Sequence, residues 1–326
     1  IGIGKTTAAC HLLHTLLNLS IPFVMFDRKG HECEFLAGHH PVLLLTPGKD
    51  LYLNPFEGAL YEVMLMISII LDVFSRKDSH ALGQSAAKIF FDLYAPRGES
   101  FTFRKFVQLV PMAEPPCSKN FNLALYQSMS AVVSSIQNSP LGKVFDCVHG
   151  LDISAMLQHG ISLVINTANL PSILEECLIC IVAEKMYSAI ENNPNICDHN
   201  GIKAGLYIDE ASEYISEKLD RDQRHHAPLS SYFLRARSRG IANIFSCHNP
   251  SRISSVMKSA LHTQFCGHLI SESDLQSVKD SMGLNDEQAI SLLHFGIGEF
   301  CVKLGSGHTM PFLVKVDPPT WRGESV

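Results

Sequence analysis

IGIGKTT, residues 1–7, and LYIDE, residues 206–210, together decide the fold. The first stretch supplies the end of a G-x-x-x-x-G-K-[S/T] loop: Gly2 lies inside it and Gly4-Lys5-Thr6 closes it, with the first loop glycine due before residue 1. A chain that opens inside such a loop, with no initiator Met and no strand to deliver it, is expected to be a piece of a longer protein. Loops of this kind wrap a β-phosphate in main-chain N–H groups. The candidate nucleotide-binding residues are therefore Gly2, Ile3, Gly4, Lys5, Thr6 and Thr7. Lys5 would bridge the β- and γ-phosphates, and the Thr6 hydroxyl would take Mg2+. ATP and Mg2+ are the expected ligands. The plain alternative is a chance Gly-Lys-Thr ahead of an amphipathic helix.

The second stretch weakens that alternative. Leu206, Tyr207 and Ile208 read as a buried strand that delivers Asp209 and Glu210 at its carboxyl end, where open α/β sheets place their ligands. An Asp in this position holds Mg2+ through water, and a neighbouring Glu polarises the attacking water. The adjacent pair favours hydrolysis over nucleotide storage. Asp209 as a simple cap for a helix EASEYISEKL is the competing reading.

Working outward, Ala8, Leu12, Leu13, Leu16 and Leu17 recur at helical spacing and predict a helix from Thr7 to Asn18. IPFVMFD (21–27) and VLLLT (42–46) read as strands. From Glu57 to about Val148 amphipathic stretches alternate with polar or Pro-containing breaks, which predicts an all-helical insertion. Strand patterns resume at ISLVINTA (161–168), IKAGLYIDE (202–210), IANIFSC (241–247) and TQFCGHLI (263–270). Helices are expected over Ser172–Glu191, Glu272–Met282 and Asp286–Leu293, and IGEFCVKLG with MPFLVKV should form a terminal hairpin. The fold class is α/β with a mainly parallel central sheet. Its expected divisions are 1–56 for the first part of the nucleotide-binding core, 57–150 for the helical insertion and 151–326 for the rest.

Composition narrows the class. With 326 residues, 46% of them hydrophobic, the chain can bury a sizeable core. The longest apolar run, VMLMISIIL (63–71), lies between Glu62 and Asp72 and is far shorter than the ~20 residues of a membrane span. Ten cysteines at irregular spacing do not make a disulfide scaffold, which points to a reducing cytosol. A net charge of −6 argues against a surface coated for nucleic acid, yet leaves room for a local basic stripe lining a pore.

Other signals are weaker. Asp27 and Lys29, in FDRKG, are expected at the end of the strand beside the loop's own strand; Asp27 touches the nucleotide, braces the loop, or sits in a solvated turn with Gly30. His248 and Asn249, after IANIFSC, either sense a γ-phosphate or form a plain turn ending at Pro250. Arg235, Arg237 and Arg239 in LRARSRG cannot share one helical face. They are either a solvated cluster or the source of an arginine that completes a neighbouring subunit's site. Cys177 and Cys180 lie in an apolar helix without a second pair, so they read as buried thiols. The histidine pairs His39-His40 and His225-His226 have no metal-ligand spacing.

With these pieces in order, the chain resembles the HerA/FtsK superfamily of ring-forming DNA pumps, especially the branch of HerA-like helicases and conjugative or type IV secretion ATPases. The resemblance rests on GIGKT, DRKG with LNPF after the next strand, LYIDEA, RSRGIANIFSCHNP and SESDLQSVKDSMGLNDEQAISLLHFGIGEF, from residue 1 to about Val316. It implies a P-loop (RecA-like) ATPase working as a homo-hexamer in the cytoplasm or at its membrane face. DNA is the implied polymer, and secretion-system or membrane proteins are implied partners through a region before residue 1. Carried over, Lys5 and Thr6 bind nucleotide and metal, Asp209 serves the metal, Glu210 is the catalytic carboxylate and Arg237 is the finger, with Arg239 in reserve. His248 stands where the family usually has a glutamine that senses the γ-phosphate. Histidine as a residue type can also donate that hydrogen bond. An ATPase that energises secretion-apparatus assembly or protein export without DNA is the alternative.

Overall fold

The computed structural model describes residues 4–30, 36, 42–58, 60–75, 102–112, 123–193, 196, 198–222, 227–306 and 310–317. Gly2, Ile3 and both histidine pairs lie outside the described residues. Helix α1 (Lys5–Asn18) starts at Gly4, whose φ of 89° is the left-handed conformation that a residue with a Cβ resists. Of the expected stripe, Leu13, Leu16 and Leu17 are buried together with Ala9, while Leu12 is exposed and Ala8 half-buried. Strand β1 (Phe23–Asp27) is buried at every position, so both its faces are covered. Strand β2 (Val42–Leu45) follows.

The predicted helical stretch holds α2 (Leu60–Ser75), α3 (Phe103–Met112), α4 (Leu123–Gln137) and α5 (Pro140–Phe145), with α6 (Ile153–Gln158) just beyond it. Ile67, Ile70, Phe106, Ile136 and Phe145 share one hydrophobic cluster with Leu178 and Leu206, so this segment is packed into the core of the sheet. Phe56 and Phe106 anchor it, with ring centroids 5.2 Å apart.

Next come β3 (Ser162–Asn166), α7 (Ser172–Asn192), β4 (Ala204–Ile208), α8 (Glu217–Asp222), α9 (Pro228–Ala236), β5 (Ile241–Phe245) and α10 (Ser255–Ala260). The chain continues with β6 (Thr263–Cys266), α11 (Glu272–Met282), α12 (Asp286–Ser291), β7 (Glu299–Leu304) and β8 (Phe312–Lys315).

Five strands form a parallel sheet in the order β2-β3-β1-β4-β5. Phe26 pairs with Ile208, and Ile208 with Phe245, so the carboxyl ends of β1, β4 and β5 finish level along one rim. Helix α1 covers one face, its Leu13 and Leu16 packing with Tyr207 of β4, while α7 and the helical segment cover the other. Burial on both faces explains why β1, β3 and β4 read as unbroken apolar runs.

One expectation changes. Strand β1 has β3 on one side and β4 on the other, so it cannot lie beside a strand that leads into the Gly4-Lys5-Thr6 loop. A strand offers only two edges, and both are taken. Strand β6 lies outside the parallel sheet; it pairs antiparallel with the terminal hairpin in a second sheet, β6-β7-β8. That sheet packs Cys266, Cys301 and Leu269 against Val278 and Met282 of α11. The turn ahead of β7 reaches back to the start of α1: a Cβ on Gly4 would lie 3.3 Å from the Gly298 nitrogen.

Candidate active site

Four segments meet at the carboxyl rim of the parallel sheet: the start of α1 and the turns after β1, β4 and β5. The Lys5 ammonium donates to the Cys247 carbonyl at 2.9 Å, which fixes the head of α1 to the tail of β5. Burial lowers the Lys5 pKa from its ordinary value; the negative charges of Glu210 and Asp209 oppose that, and nearby Lys29 reinforces it.

Asp209 leaves the end of β4 with a carboxylate that accepts from the Ser246 hydroxyl and, at 3.4 Å, from the Tyr207 hydroxyl. Glu210 adopts φ 51° and ψ 42°, the left-handed region that a glutamate rarely occupies. Strain of that kind persists only where the surroundings hold it. Here Glu210 Oε1 accepts from the Ser212 hydroxyl at 2.9 Å and from the His248 main-chain N–H at 3.1 Å. The His248 ring nitrogen Nε2 lies 3.4 Å from Glu210 Oε2. The helix-cap reading of Asp209 fails: Ala211–Glu213 is a short 3-10 turn, and the next α-helix begins only at Glu217. Asn249 leads into another 3-10 turn, Pro250–Arg252.

The turn after β1 adds a second lysine. Asp27 is buried, and its Oδ1 accepts from the main-chain N–H groups of Lys29 at 3.0 Å and Gly30 at 2.9 Å. Asp27 thus shapes its own turn. The Lys29 ammonium stands 3.5 Å from the Thr6 hydroxyl and 3.6 Å from Asp209 Oδ2. Arg28 faces away from it, toward Glu213 at 2.7 Å, the Ser172 hydroxyl at 3.0 Å and Glu175 at 3.6 Å. Glu175 is 2% exposed and accepts from the Thr167 hydroxyl at 2.5 Å and the Tyr214 hydroxyl at 2.6 Å. Burial raises its pKa, and those hydrogen bonds and Arg28 act the other way.

Lys5, Thr6, Asp209, Glu210 and His248 are thus assembled in one place, with Gly4 just before α1 and Thr7 in its first turn. Arg237 stands outside this cluster. The outer arginines are held on α7: Arg235 pairs with buried Glu184 and lies 4.6 Å over the Tyr187 ring, while Arg239 pairs with Glu191 and donates to the Tyr187 hydroxyl at 3.2 Å. Arg237 is exposed, and its side chain has no partner among the described residues. Sequence reasoning did not single out Ser246, Ser212, Arg28, Glu175 or Tyr214. A serine at a strand end or a buried glutamate in a helix carries no spacing signal of its own.

Thr6 and Asp209 are hard oxygen donors beside the Lys29 ammonium, a donor set that suits Mg2+, which keeps several waters and substrate oxygens. Among the described residues no group of three or more His, Cys, Asp or Glu is placed to hold a metal. Cys177 and Cys180 are buried free thiols whose pKa values burial raises, in keeping with a packing role. Among the described residues no helix is long and apolar enough to cross a membrane.

No protein-family profile and no curated protein matches the sequence. Solved structures do match. VirB4 of Thermoanaerobacter pseudethanolicus shares 12% identity with a TM-score of 0.71, over 99% of this chain and 89% of that one. The plasmid coupling protein TrwB, in complex with the ATP analogue ADPNP, shares 13% identity with a TM-score of 0.68, over 98% of this chain and 84% of that one. TrwB in complex with ADP and Mg2+ matches equally, at 13% identity and a TM-score of 0.68. The fold is the P-loop NTPase fold expected from the motifs.

Proposed function

We propose that this protein is an ATP-hydrolysing motor that works as a ring of six copies and moves DNA. The observation that carries the reading is the meeting of Lys5, Thr6, Asp209 and Glu210 at the carboxyl rim of a parallel sheet, where such folds bind ligands. Lys5, tied to the tail of β5, presents its charge to the phosphates. Thr6 and Asp209 would hold Mg2+, which when bound offsets the negative charge on the phosphoryl oxygens. Glu210 is the general base. Its carboxylate is fixed by Ser212 and the His248 N–H, so it is oriented before substrate arrives. His248 links that base to the tail of β5, from which a contact to the terminal phosphate is expected.

The ring reading is supported by Arg237, an exposed cation with no partner among the described residues, free to enter a neighbouring copy's site. DNA as the polymer rests on the motif resemblance and on the likeness to the conjugative coupling protein TrwB. The cytoplasm, including its membrane face, is the proposed location. The test is the ATPase rate with and without double-stranded DNA, for the protein and its Lys5→Ala and Glu210→Gln variants. Stimulation by DNA, abolished in both variants, is expected. Hydrolysis unchanged in the variants removes the site, and hydrolysis indifferent to DNA moves the reading to an ATPase that drives secretion-apparatus assembly or protein export.

A further inference from the structure

The two groups assigned to Mg2+ share a positively charged neighbour that comes from neither of their own segments. Lys29 reaches the rim from the turn after β1, and its ammonium stands within 3.6 Å of both the Thr6 hydroxyl and Asp209 Oδ2. The turn is built to hold it there. Asp27 is buried and accepts from the main-chain N–H groups of Lys29 and Gly30, and Gly30 supplies the positive φ of 79° that closes the turn. On the other side of the turn Arg28 is tied to Glu213 and Ser172, so the backbone that carries Lys29 is anchored from both directions.

We infer that Lys29 is a built-in counter-ion of the metal position: it draws Thr6 and Asp209 together and competes with Mg2+ for them. This rests on the nucleotide site proposed above. An ammonium and a divalent cation at one carboxylate oxygen repel each other strongly, and Mg2+ demands close octahedral oxygens that leave no space for a lysine head. The Lys29 side chain is 45% exposed, so it has room to swing aside on its flexible stem. Two consequences follow for nucleotide binding. Without Mg2+, Lys29 screens Asp209 from the phosphates and lets ATP bind unaccompanied. With Mg2+, Lys29 raises the concentration of metal needed to fill the site.

The test is equilibrium binding of a fluorescent ATP analogue by the full-length protein, titrated with Mg2+ and repeated in EDTA, for the protein as it stands and for its Lys29→Met and Lys29→Arg variants. Lys29→Met is expected to lower the half-saturating Mg2+ concentration about tenfold and to weaken binding in EDTA by a similar factor. Lys29→Arg, which keeps the charge, should restore binding in EDTA. A melting curve identifies any variant that fails to fold, and the arginine variant then carries the comparison. A half-saturating Mg2+ concentration that is unchanged or higher in Lys29→Met overturns the role of Lys29 and leaves the site intact. No nucleotide binding by the unaltered protein at any Mg2+ concentration overturns the site itself.

Discussion

The Lys5 ammonium is hydrogen-bonded at 2.9 Å to the main-chain carbonyl of Cys247, a residue 242 positions further along the chain. The bond fixes the lysine where Asp209 and Glu210 also act on it, in a setting whose burial disfavours its charge. Because the folded-state pKa lies below the ordinary 10.5, folding favours the neutral form, and the cost is full below the folded pKa and fades as pH rises toward 10.5. Lys5→Met should therefore melt no lower than the unaltered protein at pH 7 while binding ATP at least tenfold more weakly. Calorimetry and nucleotide titration check the two halves, and a lowered melting temperature contradicts the first.

Glu210 combines a strained backbone with a fully engaged carboxylate, the combination expected of a group held for chemistry. Glu210→Gln keeps the shape and the bond from Ser212. It should lower kcat about 10²–10⁴-fold while leaving ATP affinity within about threefold. A variant that loses binding and turnover together would assign Glu210 to shaping the site.

The three arginines of LRARSRG should separate cleanly. Arg237→Ala is expected to leave the melting temperature unchanged and to cut ATPase activity about 10³-fold in the assembled protein, since the side chain has no hydrogen-bond or ion-pair partner among the described residues. Arg235→Ala leaves Glu184, 4% exposed, without its cation, and should destabilise by about 2 kcal/mol or more. Arg239→Ala loses an exposed pair with Glu191 and should leave the denaturation midpoint nearly unchanged. Activity assays beside chemical denaturation of each variant decide the assignment.

Glu175 links stability to pH. Its folded pKa lies above the ordinary 4.5, so its contribution to stability is full below that value and is lost as pH rises through the folded pKa. Glu175→Gln should flatten this part of the profile. Melting temperatures of both proteins from pH 4.5 upward should diverge, and parallel curves would show that the carboxyl titrates alike in the folded and unfolded chain.

Much of this molecule is written locally. The strand at Phe23–Asp27 is an apolar run closed by a carboxylate, and the helix after Gly4 announces itself through Leu13, Leu16 and Leu17. Strand neighbours are another matter, because a run buried on both faces has no preferred side. That is why β1 was expected beside the loop's own strand and is found between β3 and β4. The same silence hides the departure of Thr263–Cys266 into the antiparallel sheet. Within the site, Lys5, Thr6, Asp209 and Glu210 were legible because their spacing is a chemical pattern. The Cys247 carbonyl that receives Lys5 was not, since a main-chain acceptor is the same at every position.

The turn after β1 sends two consecutive cations to opposite destinations, Arg28 to Glu213 and Lys29 to Asp209. Information there resides in sequence order and not in composition. Exchanging the pair, Arg28→Lys together with Lys29→Arg, preserves every charge and every atom count, yet it puts a point charge where Glu213, Ser172 and Glu175 wait for a fork. A dipeptide whose meaning depends on word order is a stricter constraint on variation than either side chain in it.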